Sequence, residues 1–354
     1  MKTTLSMILC LFLLTVFPLL LLSQPDIKNF NVIVQNKGQK IKKQNAIFPV
    51  KIAFATPLKQ VSDYWRRSID SFQGRMEEIG LEYVVKEFST KADENRKLSE
   101  SIQAALKIDP DYLVVTLNDP GDKIIISRLL GNEKVKVIIQ NTTIPDEDWK
   151  ETPPLMYVGF DHTLGTRFIA DEYINRFKEE KHIEYAMLYF IKGSQVSKLR
   201  GDFFNEIMAE HTKFSLVAEY YTEGSRATAK NATLKILEDN PDIKFIYACS
   251  TDIAFGILDA LKEHRLTKKI LVNGWGGGAG ELDSLLSGGL DFTVMRMNDD
   301  NGVAMAEAVR LDLESTLNTK PLIFSGEMVI VRQGISQEEI FKLKKRAFRY
   351  SDTY

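Results

Sequence analysis

Two doubly wound α/β lobes, each a parallel sheet with helices on both faces and the pair joined by a three-crossover hinge, are the fold class this sequence predicts. Three observations carry that expectation. At 354 residues the chain has material for two domains. From residue 50 onward, short β-rich runs alternate with amphipathic stretches of helical period, the pattern of right-handed β–α–β crossovers. Several β-rich runs are almost wholly apolar, as expected where helices cover both faces of a parallel sheet.

The first 23 residues differ in kind. Lys2 is the only charge before Asp26, and residues 5–22 are apolar apart from Ser6, Thr15 and Pro18. A positive start, an apolar core and the small residue Ser23 read as a signal peptide. An uncleaved anchor is the alternative, because Leu21 fits poorly at its place before the cut. Residues 24–47 are polar with little periodicity and read as an N-terminal arm. Strands follow at 50–55, 82–88, 112–117, 135–140, 156–160, 183–190, 215–221, 245–249, 270–273, 292–295 and 326–332. Helices fill most gaps, at about 63–79, 93–107, 163–178, 196–211, 225–239, 252–265, 279–287, 299–315 and 336–350. After the fifth strand, the stripe Leu164, Phe168, Ile169 opens a second βα series. The chain therefore crosses between lobes near 160, 296 and 325. The N-terminal lobe takes 48–160 plus 297–325, and the C-terminal lobe 161–296 plus 326–354.

Composition removes several function classes. With 46 basic and 48 acidic side chains, bulk charge offers nothing to nucleic acid. Two cysteines, Cys10 and Cys249, cannot form a disulfide framework in the exported chain, and Cys249 in an apolar run reads as a buried, inert thiol. His162, His182, His211 and His264 are scattered and read as surface residues, so a structural zinc site is not expected. No Gly-x-Ser-x-Gly elbow, phosphate-binding P-loop or His-Glu-x-x-His is present. Gly274-x-Gly276-x-x-Ala279 fits a relaxed dinucleotide fingerprint, but Trp275 would crowd a pyrophosphate.

Ligands of doubly wound sheets sit beyond the carboxyl ends of the strands. There the sequence places Gln60, Ser62 and Trp65 after the first strand and Asn141 after the fourth. Thr251, Asp252, Trp275 and Arg296 follow strands of the second series, and Arg200 lies on the helix after 183–190. Amides, hydroxyls and indoles suit a compact, hydroxyl-rich ring. Two arginines against one aspartate suggest an anionic ligand, since a buried unpaired cation is costly. Asp63, Asp252, Asp299 and Asp300 each precede a helix, where capping is the plain explanation. Arg200 also reads as a helix-face ion-pair residue.

Longer blocks carry a resemblance. They are Gln-Val-Ser-Asp-Tyr-Trp at 60–65, Tyr-Val-Gly-Phe-Asp-His at 157–162 and Arg-Gly-Asp at 200–202. Phe-Ile-Tyr-Ala-Cys-Ser-Thr-Asp follows at 245–252, then Asn-Gly-Trp-Gly-Gly-Gly at 273–278. The last two are Thr-Val-Met-Arg-Met-Asn-Asp-Asp at 293–300 and Lys-Lys-Arg-Ala-Phe-Arg-Tyr-Ser-Asp at 344–352. Over about 50–352 the chain resembles the type I periplasmic sugar-binding proteins, and most of all their autoinducer-2 receptor branch. That resemblance implies a two-lobed periplasmic receptor for the quorum-sensing signal autoinducer-2 in its furanosyl borate diester form. The implied ligand contacts are Gln60, Ser62, Trp65, Asn141, Arg200, Thr251, Asp252, Trp275 and Arg296, with Arg200 and Arg296 flanking the borate. It implies no catalytic residue, no metal site and no cofactor, boron arriving with the ligand. It also implies a LuxQ-type membrane sensor kinase as partner. Residues 1–49 do not match the family.

Three other readings share parts of this pattern. The binding component of a ribose- or galactose-type transporter has the same fold, but neutral-sugar binders commonly carry an aspartate where Trp275 stands and lack two arginines. A repressor would need a helix-turn-helix before the first strand. An enzyme would need a nucleophile–base pair, and none is apparent.

Overall fold

The computed structural model describes residues 25–42, 49–57, 62–88, 98–117, 120–132, 134–317 and 321–352. The expected signal peptide and Gln60 lie outside the described residues. Within them, no helix is long and apolar enough to cross a membrane.

The first lobe runs α1 (Pro25–Gln35), β1 (Val50–Ala55), α2 (Tyr64–Ile79), β2 (Tyr83–Glu87), α3 (Leu98–Leu106), β3 (Tyr112–Thr116), α4 (Pro120–Leu130), β4 (Lys136–Gln140) and β5 (Met156–Gly159). The chain then crosses into α5 (His162–Arg176) and β6 (Ile183–Tyr189). A π-helical turn, Ser197–Asp202, leads directly into α6 (Phe203–Ala209). The second lobe continues through β7 (Phe214–Tyr221), α7 (Arg226–Asp239), β8 (Phe245–Ala248), α8 (Thr251–Glu263), β9 (Leu271–Gly276), α9 (Ala279–Ser287) and β10 (Phe292–Arg296). A second crossing gives α10 (Asp299–Leu313) and β11 (Leu322–Ser325) to the first lobe, and a third gives β12 (Met328–Arg332) and α11 (Gln337–Ala347) to the second.

The sheets have orders β11-β5-β4-β3-β1-β2 and β12-β10-β9-β8-β6-β7. Each therefore repeats one doubly wound pattern in which the first strand of the series lies between the second and the third. Such an order leaves a crevice at the carboxyl ends of β1 and β3, and of β6 and β8. All pairings are parallel except β10 with β12. The exception follows from the hinge. β10 and β11 both end at the crossing, so β12, starting there two residues after β11, must run away from it.

Burial follows the predicted stripes. One face of the first sheet packs against α2 and α10 through Ile69, Phe72, Met76, Val303 and Val309. The other face meets α3 and α4 through Ile102, Ala105 and Ile126. α2 and α10 approach closely at Gly302, where a Cβ would stand 2.1 Å from Ser71 Oγ. In the second lobe, Tyr173 stacks on Phe245 at 3.9 Å and Phe204 on Tyr247 at 3.8 Å.

The structure departs from the sequence reading at three elements. Residues 25–35 are helical, where an irregular arm was expected; Phe30 and Val34, one turn apart, are buried on the first lobe's core. α4 was not expected, because Asn118-Asp119-Pro120-Gly121 reads as a turn, yet proline suits the first helical position. β11 was also missed: its apolar core is only Leu322-Ile323-Phe324, and the strand expected at 326–332 lies directly after it.

Beyond α11 the chain returns to the first lobe. Asp299 accepts from the Tyr350 and Ser351 amides at 2.7 and 2.9 Å and from Ser351 Oγ at 2.7 Å. Asp300 takes both arms of Arg346 at 3.0 and 2.8 Å and Arg349 at 2.9 Å. These aspartates thus tie down the C-terminal turn and do not cap α10, whose start at Asn298 has no side-chain cap. Arg75, fully buried, joins α1, α2, α10 and the tail through Ile33 O, Glu78, Glu307 and Tyr350 Oη.

Candidate ligand-binding site

The site is assembled from strand ends of both lobes. β10 ends on Arg296 at 5% exposure, and its guanidinium carbon lies 4.3 Å from the Tyr64 ring centroid and 5.6 Å from that of Phe160. Tyr64 opens α2 beside Trp65, their ring centroids 4.8 Å apart at a steep angle. Arg296 comes from the second lobe, Tyr64 from the first, and Phe160 stands at the crossing between them, so this corner of the site joins both lobes beside the hinge.

Arg200 comes from the π-helical turn, an irregularity often found at functional sites. Two contacts hold this turn against β8. Tyr247 Oη donates to the Arg200 carbonyl at 2.7 Å, and Arg200 Nη1 donates to Cys249 O at 3.0 Å. Gly201 makes the approach possible, since a Cβ there would meet the Tyr189 ring at 2.2 Å. The Arg200 guanidinium lies 3.5 Å from the Trp275 ring centroid, a cation–π stack.

Trp275 is the second-last residue of β9, whose end is pinned by Glu281. That fully buried carboxylate accepts from the Trp275 amide at 2.9 Å, the Gly277 amide at 2.7 Å and Thr293 Oγ1 at 2.5 Å. Thr251 Oγ1 donates to the Trp275 carbonyl at 3.2 Å. Gly276, at φ +143°, leaves room for Arg296, whose Nη2 would be 2.7 Å from a Cβ there.

Neither Arg200 nor Arg296 has an ion-paired carboxylate among the described residues. Burial, then the neighbouring Arg296, pulls the Arg200 pKa down to about 9. Burial also pulls Arg296 down, against weaker support from Tyr64, Glu281 and Asp63. Arg200 Nε, Arg296 Nε, Trp275 Nε1, Asn141 Oδ1 and His162 Nδ1 are all buried without a hydrogen-bond partner among the described residues. Buried polar atoms in native proteins are mostly satisfied, so five orphans gathered around these strand ends mark candidate ligand contacts.

Of the residues singled out from sequence, Arg200, Arg296, Trp275, Trp65 and Thr251 converge here. Asn141 sits at φ +69° after β4 and borders a small cavity with Phe160, His162 and Leu199. Ser62 is half-buried just before α2, and Asp252 is half-buried in the first turn of α8, which Ser250 caps. Cys249 is buried, its thiol pushed up to about 12 mainly by burial.

His162 corrects the surface reading. It is 4% exposed, with Nε2 3.5 Å from Arg200 Nη2 and its ring 5.5 Å from Trp275. Burial, then Arg200 and Arg296, hold its pKa well below the usual 6.5. The sequence signal was its place directly after Asp161, at the start of a hinge-crossing helix. Tyr64, Phe160 and Glu281 were also missed. Asp63 is not a side-chain cap of α2; it pairs instead with Arg67 at 2.6 Å. Among the described residues, no cluster of three metal-ligating side chains is present.

Comparison with known proteins places these features in context. The periplasmic binding protein domain family matches residues 52–313. The ribose import binding protein of Salmonella typhimurium is 26% identical over 156 residues, 43% of this chain and 51% of that protein. The chain thus spans about half the length of that relative. A solute-binding protein from Actinobacillus succinogenes, solved with bound D-allose, superposes with a TM-score of 0.68 at 19% identity over 80% of this chain and 98% of the other. The fructose-binding periplasmic domain of a hybrid two-component system gives 0.70 at 18% identity over 84% and 94%.

Proposed function

Because the chain belongs to the periplasmic binding protein domain family, we propose that it is an exported, non-enzymatic receptor of the LuxP type. In this reading it takes autoinducer-2, as its furanosyl borate diester, between the lobes and presents their closure to a LuxQ-type membrane sensor kinase. Residues 1–23 direct the chain to the periplasm. No cofactor takes part.

One observation carries the reading: two buried arginines face one cleft, and neither is ion-paired to a carboxylate among the described residues. Holding such cations out of water costs several kcal/mol each unless an anion answers them. A tetrahedral borate between Arg200 and Arg296 would receive charge-assisted hydrogen bonds and relieve their mutual repulsion. Trp275 Nε1 and Asn141 Oδ1 would engage the ring oxygens and hydroxyls, with Gln60, Ser62, Thr251 and Asp252 completing the polar shell. Trp65 and Tyr64 would wall the apolar edge. The fructose-binding periplasmic domain of a hybrid two-component system shares the fold.

A second reading is the binding component of a sugar importer. The ribose import relative favours it. The arginine pair separates the two, because a neutral pentose or hexose leaves both charges unanswered. Calorimetric titration of autoinducer-2 into the protein, with and without boric acid, tests the proposal. Boron should tighten binding markedly. Equal binding without boron, or tighter binding of ribose, would transfer the assignment to the importer.

A further inference from the structure

The residue next to Ser62 does not reach into the ligand cleft but across it. Asp63 Oδ2, on the first lobe, accepts from the backbone amide of Ala279 on the second at 3.3 Å. Ala279 is the first residue of α9, a nine-residue helix whose N-cap is Gly278 and which has no side-chain cap of its own. An uncapped helix start presents unsatisfied N–H groups and partial positive charge, and a carboxylate answers both. Asp63 occupies the N-cap position of its own helix yet makes no side-chain bond there. Its carboxylate is instead aimed by Arg67 Nε at 2.6 Å. Arg67 is 2% exposed and lies 3.7 Å over the Phe348 ring, bonded to Asp352 Oδ1 at 2.6 Å and Ser351 Oγ at 2.9 Å.

Gly278 is fitted to this contact. A Cβ built there would stand 2.4 Å from Asp63 Oδ1, and its three nearest heavy atoms all belong to Asp63. The backbone at Gly278, φ −66° and ψ 172°, is open to any residue. Glycine at this position leaves room for the Asp63 carboxylate of the other lobe, and its own conformation does not require it. α9 also begins immediately after the Trp275–Gly277 loop that walls the cleft.

We infer that Asp63 is a closure latch: it caps α9 across the cleft only when the lobes are shut, and so sets how long a ligand is held. The inference rests on the lobe-closure reading proposed above. A contact made after encounter slows release and leaves the encounter rate alone. Losing an N-cap carboxylate typically weakens a helix start by an amount that translates to about 2- to 30-fold in an equilibrium constant.

Gly278→Ala tests the latch from the side that has no role in the open protein. Stopped-flow binding of autoinducer-2 with boric acid should show release about 5- to 30-fold faster, association within about twofold of wild type, and an unchanged melting temperature without ligand. Asp63→Ala should release faster by a similar factor, and Asp63→Asn, which keeps an acceptor, by less. The decisive arm is the double variant. With the Asp63 side chain gone, Gly278→Ala has nothing to strike, so the pair should behave like Asp63→Ala alone. A Gly278→Ala protein that releases ligand like wild type overturns the latch. So does a full additional loss in the Asp63→Ala background. Wild-type protein that binds neither autoinducer-2 with boric acid nor ribose, and does not contract in solution scattering, overturns the closure reading itself and the latch with it.

Discussion

The Arg200 guanidinium carbon lies 3.5 Å from the Trp275 ring centroid, while Trp275 Nε1 is buried with no hydrogen-bond partner among the described residues. One face of the indole thus supports a cation and its edge still offers a donor. This fixes the relative importance of the site residues. Removing a charge from a closed, dry cleft should cost more than removing a donor.

Arg200→Met and Arg296→Met keep much of the stem volume and lose the charge. Each should weaken binding by about 2–5 kcal/mol and abolish the preference for the borated form. Trp275→Phe keeps an aromatic wall and loses one donor, and should cost about 1–3 kcal/mol. Calorimetric titrations with and without boric acid check the order. Arginine variants that bind normally and gain nothing from boron would remove the anionic ligand from the account.

Gly201→Ala should affect affinity without touching a ligand atom. Its Cβ would overlap the Tyr189 ring at 2.2 Å, so the π-helical turn must move and take Arg200 off Trp275. We expect binding to fall at least tenfold, the scale of about 1.4 kcal/mol, with circular dichroism unchanged. Wild-type affinity would mean that the turn is not what places Arg200.

Stability should fall in mild acid because of His162. Its folded-state pKa is held well below 6.5, mainly by burial and then by the two arginines. The unfolded chain takes up this proton near pH 6.5, and the folded protein does not. The associated stability is therefore complete above about pH 6.5 and is lost progressively as pH falls below it. Asp299 works in the opposite direction: mainly through burial its pKa is raised to about 6, so its charging opposes folding as pH rises from about 4 to 6. His162→Gln removes only the first contribution. Its melting temperature should drop less than that of wild type between pH 7.5 and 5.5, and an equal drop would place the acid sensitivity elsewhere.

Arg75→Met should destabilise the first lobe. It strips the buried Glu307 carboxylate of a 2.6 Å partner and releases Ile33 O, Glu78 and Tyr350 Oη. Breaking a buried pair typically costs about 3–5 kcal/mol. Because Arg310 still pairs with Glu307 at 2.6 Å, we expect the lower end of that range in chemical denaturation. A change below about 0.5 kcal/mol, the usual scale of surface substitutions, would show that Arg310 suffices.

Much of this architecture was legible in the sequence, because alternating periodicity marks both the elements and the strand ends where ligands bind. Arg296 stood out as a lone cation ending an apolar strand, and Trp275 as an indole set among glycines. Other features depend on contacts distant in sequence. His162 looks like any scattered histidine until the hinge brings it against Arg200. Asp63 looks like an ordinary N-cap, and only the closed lobes show that it caps a different helix. Glu281 acts through the Trp275 and Gly277 amides, and no side-chain pattern announces that. The helix at 25–35 carries Ile27, Phe30 and Val34 at helical spacing, but the segment is short and continues into a polar stretch, which hides the period.

In the proposed function the buried arginine pair holds a borated, anionic ligand. The most direct test is mass spectrometry of small molecules released from the purified protein, with boron quantified in the same sample. The account predicts autoinducer-2 together with about one boron per occupied chain. Release of a ribose- or galactose-type sugar, with no boron, would contradict it.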